Sequence, residues 1–104
     1  MAKAKIHAGN CGYITNVEAE KVEKYKVKLT IESECPHIRK MAAELVEVDA
    51  LNEISYKRGD RQILAKGAEF CTHAACVVPA GVVKAVEVAA GLALPQQVII
   101  DVEK

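Results

Sequence analysis

A change in hydrophobic period partway along the chain constrains its fold more than any other feature. In the segment 25–32 (YKVKLTIE), apolar and polar residues alternate without a break, which predicts a half-buried antiparallel strand. Beyond it, Ile38, Met41 and Leu45 recur at helical spacing and predict an amphipathic helix. Pro36 suits the first turn of that helix, where a missing N–H has no cost. Strands followed by helices indicate an α+β domain.

Weaker patterns complete an antiparallel sheet covered on one face by helices. The remaining predicted elements are strands at 5–8, 13–20 and 98–102, a charged hairpin loop at 21–24, a helical turn at 49–54, an exposed polar loop at 55–60, a helix at 63–70 and a strongly apolar helix at 77–90. The apolar helix carries only two charged residues, Lys84 and Glu87. We therefore expect it to be the central buried helix.

Size and charge narrow the functional classes. The 104 residues predict a single domain, 1–104. Acidic and basic residues balance at 14 each, and the aromatic residues are three Tyr and one Phe, so we expect no nucleic-acid partner. The longest apolar run, 74–83, is interrupted by Pro79 and Gly81 and is too short to span a bilayer. With no signal-like segment at its start, we predict a cytoplasmic protein with no membrane partner.

Four cysteines carry most of the functional signal, since structural disulfides are rare in the cytoplasm. Cys11 lies at the predicted turn between the first two strands, and Cys35 immediately precedes a predicted helix. Cys76 precedes the apolar helix, with Cys71 five residues earlier. None lies within a periodic apolar face, where an inert core cysteine would be expected. Buried apolar residues, reactive thiols and metal ligands remain as alternatives.

Metal binding suits these positions chemically. The partial positive charge of a helix N-terminus favours the thiolate, and Cys35 and Cys76 both lie beside such a terminus. Thiolate and imidazole ligands suit zinc or an iron–sulfur cluster rather than magnesium or calcium. His73 lies between two cysteines and is the best imidazole candidate, whereas His7 and His37 are readily explained as ordinary surface side chains.

The order of these motifs resembles the NifU/IscU-type iron–sulfur scaffold family over roughly residues 10–90. The matching motifs are Asn10-Cys11-Gly12, Glu34-Cys35 opening a helix, and Cys76 opening the late helix that contains Val82-Val83-Lys84-Ala85. The resemblance implies an α+β domain that holds a [2Fe–2S] cluster or zinc through Cys11, Cys35 and Cys76. It also implies a partner that is an iron–sulfur assembly protein or a metalloenzyme client.

The chain departs from that family at two positions. Tyr13 stands where the family has an aspartate associated with cluster lability, and Ala75 stands where it has a histidine. The fourth ligand implied here is therefore Cys71 or His73. A second resemblance, to the small TSCPD domain found alone or attached to some ribonucleotide reductases, rests on Glu34-Cys35-Pro36 and on the segment 71–76.

Two other functional classes stay open. One is a thiol redox protein or Cys/His enzyme, with Cys71 or Cys76 as nucleophile and His73 as base. The other is an interaction module with incidental cysteines, in which the apolar helix forms a homodimer face. The chain has no Ser-His-Asp triad, phosphate-binding loop or metalloprotease motif, so we expect a metal-binding scaffold, carrier or accessory factor without catalysis of its own.

Overall fold

A computed structural model of the chain, which describes residues 1–57 and 59–104, has a four-stranded antiparallel sheet and four helices. The elements in chain order are β1 (Ala2–His7), β2 (Ile14–Glu23), β3 (Lys26–Ser33), α1 (Pro36–Ala43), β4 (Glu47–Asp49), α2 (Ala50–Glu53), α3 (Gln62–Phe70) and α4 (Val78–Ala89). The strands lie in the order β1-β2-β3-β4. The predicted α+β class with an antiparallel sheet is confirmed.

The long β2–β3 hairpin forms the centre of the sheet. Its core face is made by alternate residues, among them Val17, Ala19 and Val27, each at most 1% exposed. The loop predicted at 21–24 is too long, because the pairing of β2 with β3 continues to Glu23↔Lys26. Only Lys24 and Tyr25 remain for the turn, and Tyr25 takes a left-handed conformation with φ of 66°.

Helices cover one face of this sheet, with α4 on β1 and β2 and α1 on β3. The buried residues of α4 are Val78, Pro79, Val82, Val83, Ala85 and Val86. A Cβ added at Gly81 would lie 2.5 Å from Ile6 Cδ1, so the missing side chain lets α4 approach β1 closely. The apolar helix is thus the core of the monomer, as predicted, and its apolar side is not free to form a dimer face.

The segment after α1 differs most from the sequence-based prediction. The helix ends at Ala43, and Leu45 remains buried while Val46 is exposed. The next three residues form β4, which was not predicted, with Val48 opposite Val27 of β3. Three residues are too few to reveal a period of two. The helical turn expected at 49–54 and the helix expected at 63–70 are confirmed as α2 and α3.

Residues 92–104 contain no helix or strand. The closing strand predicted at 98–102 is therefore wrong for this structure, since the segment pairs with none of β1 to β4 among residues 1–57 and 59–104. The predicted polar loop at 55–60 includes Arg58, which lies outside the described residues; its other residues form no helix or strand. Within 1–57 and 59–104, no helix has the length and apolar character needed to cross a bilayer.

Candidate metal centre

Strand register brings the cysteine-bearing segments to one end of the molecule. His7 pairs with Ile14 and Thr15 pairs with Ser33. The β1–β2 turn and the carboxyl end of β3 therefore lie at the same end of the strands. Because Gly81 lies against Ile6, the start of α4 lies near the same end. We call this region, made of residues 9–12, 33–35 and 71–76, the cysteine end.

Cys35 is held at the junction between β3 and α1 by hydrogen bonds that meet at the Ser33 hydroxyl. The Thr15 hydroxyl donates to Ser33 Oγ over 2.8 Å, and the Cys35 N–H donates to the same oxygen over 3.1 Å. Cys35 is the N-cap of α1, and its carbonyl accepts from the Arg39 N–H at 3.0 Å. Its thiol lies beside a helix N-terminus and is partly buried against the core, as the sequence predicts.

Cys71 and Cys76 are positioned by the packing of α3 against α4. Cys71 is the C-cap of α3, with its N–H donating to the Gly67 carbonyl at 2.9 Å. The Cys76 N–H donates to the His73 carbonyl at 3.1 Å, which closes the turn leading into α4. A Cβ at Gly67 would lie 2.5 Å from Pro79 Cγ. The close approach of the end of α3 to the start of α4 therefore holds the two cysteines together.

Two neighbouring thiols act on the titration of Cys71 at this end. The pKa of Cys71 is raised to about 11, first by burial, then by the charge of Cys76 and a hydrogen-bonding contact with it, and last by the charge of Cys35. A group can perturb the titration of another only at short range. Cys35, Cys71 and Cys76 therefore form one cluster, the thiol cluster, and all three are free thiols packed against the edge of the core.

Cys11 is placed differently from the other three cysteines. It is exposed at the tip of a turn in which the Gly12 N–H donates to the Gly9 carbonyl at 2.9 Å. Both glycines have positive φ, 92° and 73°, which a residue with a side chain rarely adopts. Cys11 lies in the turn between β1 and β2. It is not among the groups that raise the pKa of Cys71.

The histidines all lie in solvent. His73 is exposed between two members of the thiol cluster, and His7 and His37 are exposed on β1 and in the first turn of α1. Within the described ranges, no three His, Cys, Asp or Glu side chains already stand in a metal-holding arrangement. The thiol cluster is therefore a group of three neighbouring cysteines that do not share a metal-holding geometry in this part of the chain.

Two features of the structure were not anticipated from sequence. A groove of about 650 Å³ adjoins Cys35, and its polar lining includes Lys5, Asn16, Glu32, Glu34 and Arg39. Separately, Glu53 is 2% exposed and accepts the N–H groups of Gln62 and Ile63 at 3.0 and 2.8 Å. Glu53 thereby caps α3 from a distant position in the chain. Neither feature follows a local sequence pattern, since each depends on tertiary contacts.

No curated protein and no solved structure significantly matches the chain. One family, described as a family of unknown function (DUF6951), matches residues 2–102. That match covers nearly the whole sequence, including the sheet, the four helices and every cysteine. The chain therefore belongs to the DUF6951 family.

Proposed function

We propose that this protein binds one zinc ion or iron–sulfur cluster at the thiol cluster, as a scaffold, carrier or accessory factor without catalysis of its own. The observation that carries the proposal is the convergence of Cys35, Cys71 and Cys76 from two separate chain junctions. Three thiolates supply most of a tetrahedral zinc site or the protein side of a cluster. The fourth ligand is Cys11 or His73.

Partial burial of the thiols supports metal binding over simple packing. Cys35, Cys71 and Cys76 lie at the margin of the core, neither sealed within it nor fully in water. An ion can reach such sulfur atoms, while the surrounding apolar side chains limit access of competing water.

The raised pKa of Cys71 helps to separate metal binding from thiol catalysis. A nucleophilic cysteine works through a thiolate whose pKa is lowered by its surroundings. Here burial and two neighbouring thiols raise the pKa of Cys71 to about 11, which keeps its proton at neutral pH. A bound cation reverses this effect by stabilising all three thiolates at once.

The placement of the cysteines along the fold supports a NifU/IscU-like architecture as part of the same proposal. One cysteine lies in a turn of the sheet, one opens the helix after β3, and one precedes the last helix. The order of positions is the one on which the family resemblance rests, although in the thiol cluster Cys71 takes the place that the resemblance gives to Cys11. On this basis the partner would be an iron–sulfur assembly protein or a metalloenzyme client, docking at the cysteine end.

The direct test is elemental analysis and visible absorption of protein purified without oxygen, followed by titration with Co²⁺ as a spectroscopic substitute for Zn²⁺. We expect stoichiometric zinc or iron and a thiolate-to-cobalt absorption band. Cys35→Ser, Cys71→Ser and Cys76→Ser should each weaken Co²⁺ binding by at least about 100-fold. Protein that is colourless, free of zinc and iron and indifferent to Co²⁺ would contradict the proposal.

Matched variants identify the fourth ligand. His73 and His37 are both exposed and both lie two residues after a cysteine, so His37→Ala controls for His73→Ala. If His73 is the ligand, only His73→Ala lowers the affinity for Co²⁺. If Cys11 is the ligand, Cys11→Ser lowers the affinity, and the cobalt band loses intensity because one thiolate is lost.

A further inference from the structure

An exposed apolar segment follows α4, and it forms no helix or strand among the described residues. Val98, Ile99, Ile100 and Val102 are 53%, 69%, 69% and 88% exposed. Full burial of one such side chain is worth about 1.5–3 kcal/mol. Four of them within five residues form an apolar surface of the kind that marks an interaction site.

The pattern of this segment is that of a strand with one apolar side. Val98, Ile100 and Val102 fall on one side, and Asp101 and Glu103 fall on the other together with Ile99. Such alternation suits an edge strand that lies half on a core and half in water. The segment nevertheless forms no strand within its own chain.

The sheet offers an open edge of matching length and pattern. β1 pairs with β2 on one side, and its other side has no partner strand among the residues that the structure describes. Ala2 and Ile6 face the core, whereas Lys3 and Lys5 face solvent. An unpaired edge strand presents a row of backbone donors and acceptors to any incoming strand.

The two surfaces are complementary in polarity and in charge. If segment 97–103 is added beside β1, its apolar side lies next to Ala2, Ala4 and Ile6, the core-facing residues of that strand. Its acidic side then lies next to Lys3 and Lys5. Lys3 is only loosely engaged by Glu18, at 3.9 Å. Opposite charges on neighbouring strands stabilise their pairing.

We infer that segment 97–103 of one copy forms a fifth strand on the β1 edge of a second copy, giving a strand-exchanged homodimer. Within the part of one chain that the structure describes, neither the segment nor the outer edge of β1 pairs with a strand. A reciprocal exchange between two copies pairs both segments and both edges, and it closes with two-fold symmetry. This surface is separate from the thiol cluster, so the inference does not depend on metal binding.

The test is the molar mass of the full-length protein by light scattering after size exclusion, over a range of concentrations. The monomer is 11.2 kDa, and we expect twice that mass for the native protein. Ile100→Asp should return it to the monomer mass. Because Ile100 is 69% exposed, the substitution leaves the body of the domain folded, which circular dichroism confirms.

A charge exchange then tests the register. Lys5→Glu and Asp101→Lys should each weaken the dimer, and the double variant should restore it. Lys57→Glu makes the same change of charge as Lys5→Glu at an exposed position away from β1. It should leave the dimer unchanged. A monomer mass for the native protein overturns the inference. If the amides of 98–102 in that monomer are protected from hydrogen exchange, the segment docks on the β1 edge of its own chain instead. A dimer insensitive to Ile100→Asp also overturns it.

Discussion

The packed body and the cysteine end of this protein are built in opposite ways. The body, made of β1, β2, β3 and α4, is held by aliphatic side chains such as Val17, Val82 and Val86, each at most 1% exposed. The cysteine end lies where the chain changes direction; three of its thiols are half-buried, and Cys11 is exposed. The comparison teaches that the residues that stabilise the fold differ from those of the proposed metal site, so substitutions can separate the two roles.

The largest expected effect comes from placing a charge within the body. Val82→Asp buries an unpaired carboxylate at a position that is 0% exposed, and we expect a loss of more than about 4 kcal/mol. The free energy of unfolding in urea measures this loss. Val46→Asp is the control, since Val46 is 57% exposed and should change stability by less than about 0.5 kcal/mol.

The next largest expected effect is stabilisation by Zn²⁺, which depends on the cysteine end and not on the packed body. Addition of Zn²⁺ at 100 times its dissociation constant should stabilise the native protein by about 2.7 kcal/mol, because only the folded state assembles the ligands. Cys76→Ser should abolish that gain while leaving the metal-free stability close to native. Thermal unfolding with and without Zn²⁺ gives both quantities. Equal stabilisation of the variant would show that zinc binds elsewhere.

A smaller effect concerns the polar cap that joins α2 to α3. Glu53→Ala removes the carboxylate that accepts from Gln62 and Ile63 and leaves two N–H groups without an acceptor. We expect a loss of about 1–3 kcal/mol in unfolding free energy. Glu20→Ala, on the solvent face of β2, is the control and should be nearly neutral. An equal loss in the two variants would mean that the cap contributes nothing specific.

The smallest effect is a dependence of stability on pH at the thiol cluster. The pKa of Cys71 rises from about 9 to about 11 on folding, so the folded protein holds this proton more tightly than the unfolded chain. The contribution is fully present below about pH 9 and is lost as the pH rises toward 11. In the metal-free protein, the stability of the native chain relative to Cys71→Ser should fall across that interval. A constant difference would contradict the raised pKa of Cys71 in the folded protein.

The sequence predicts the parts of this fold that local rules determine. The alternation at 25–32 reveals a strand because one face of that strand is buried, and the Gly and Pro residues around the cysteines mark the turns that carry them. The same alternation at 98–102 gives no strand within the described chain, since a pattern describes what a segment would bury and not which strand it pairs with. β4 escapes detection because it is only three residues long.

The composition of the thiol cluster is the part that local rules do not give. Spacing alone does not show that Cys71 is a neighbour of Cys76 and Cys35, whereas Cys11 remains exposed at the tip of its turn. Those relations depend on the packing of α3 against α4 and on strand register. The capping of α3 by Glu53, from a different helix, is invisible in the sequence for the same reason.

The contact between Gly67 and Pro79 has a consequence for the spacing of the sulfur atoms. A methyl group at position 67 would meet the proline ring at 2.5 Å, and the two helices would have to move apart to admit it. Cys71 and Cys76 are attached to the ends of those helices and would separate with them. The single hydrogen atom in place of a side chain at Gly67, whose carbonyl accepts from the Cys71 N–H, thus helps to set the separation of Cys71 and Cys76.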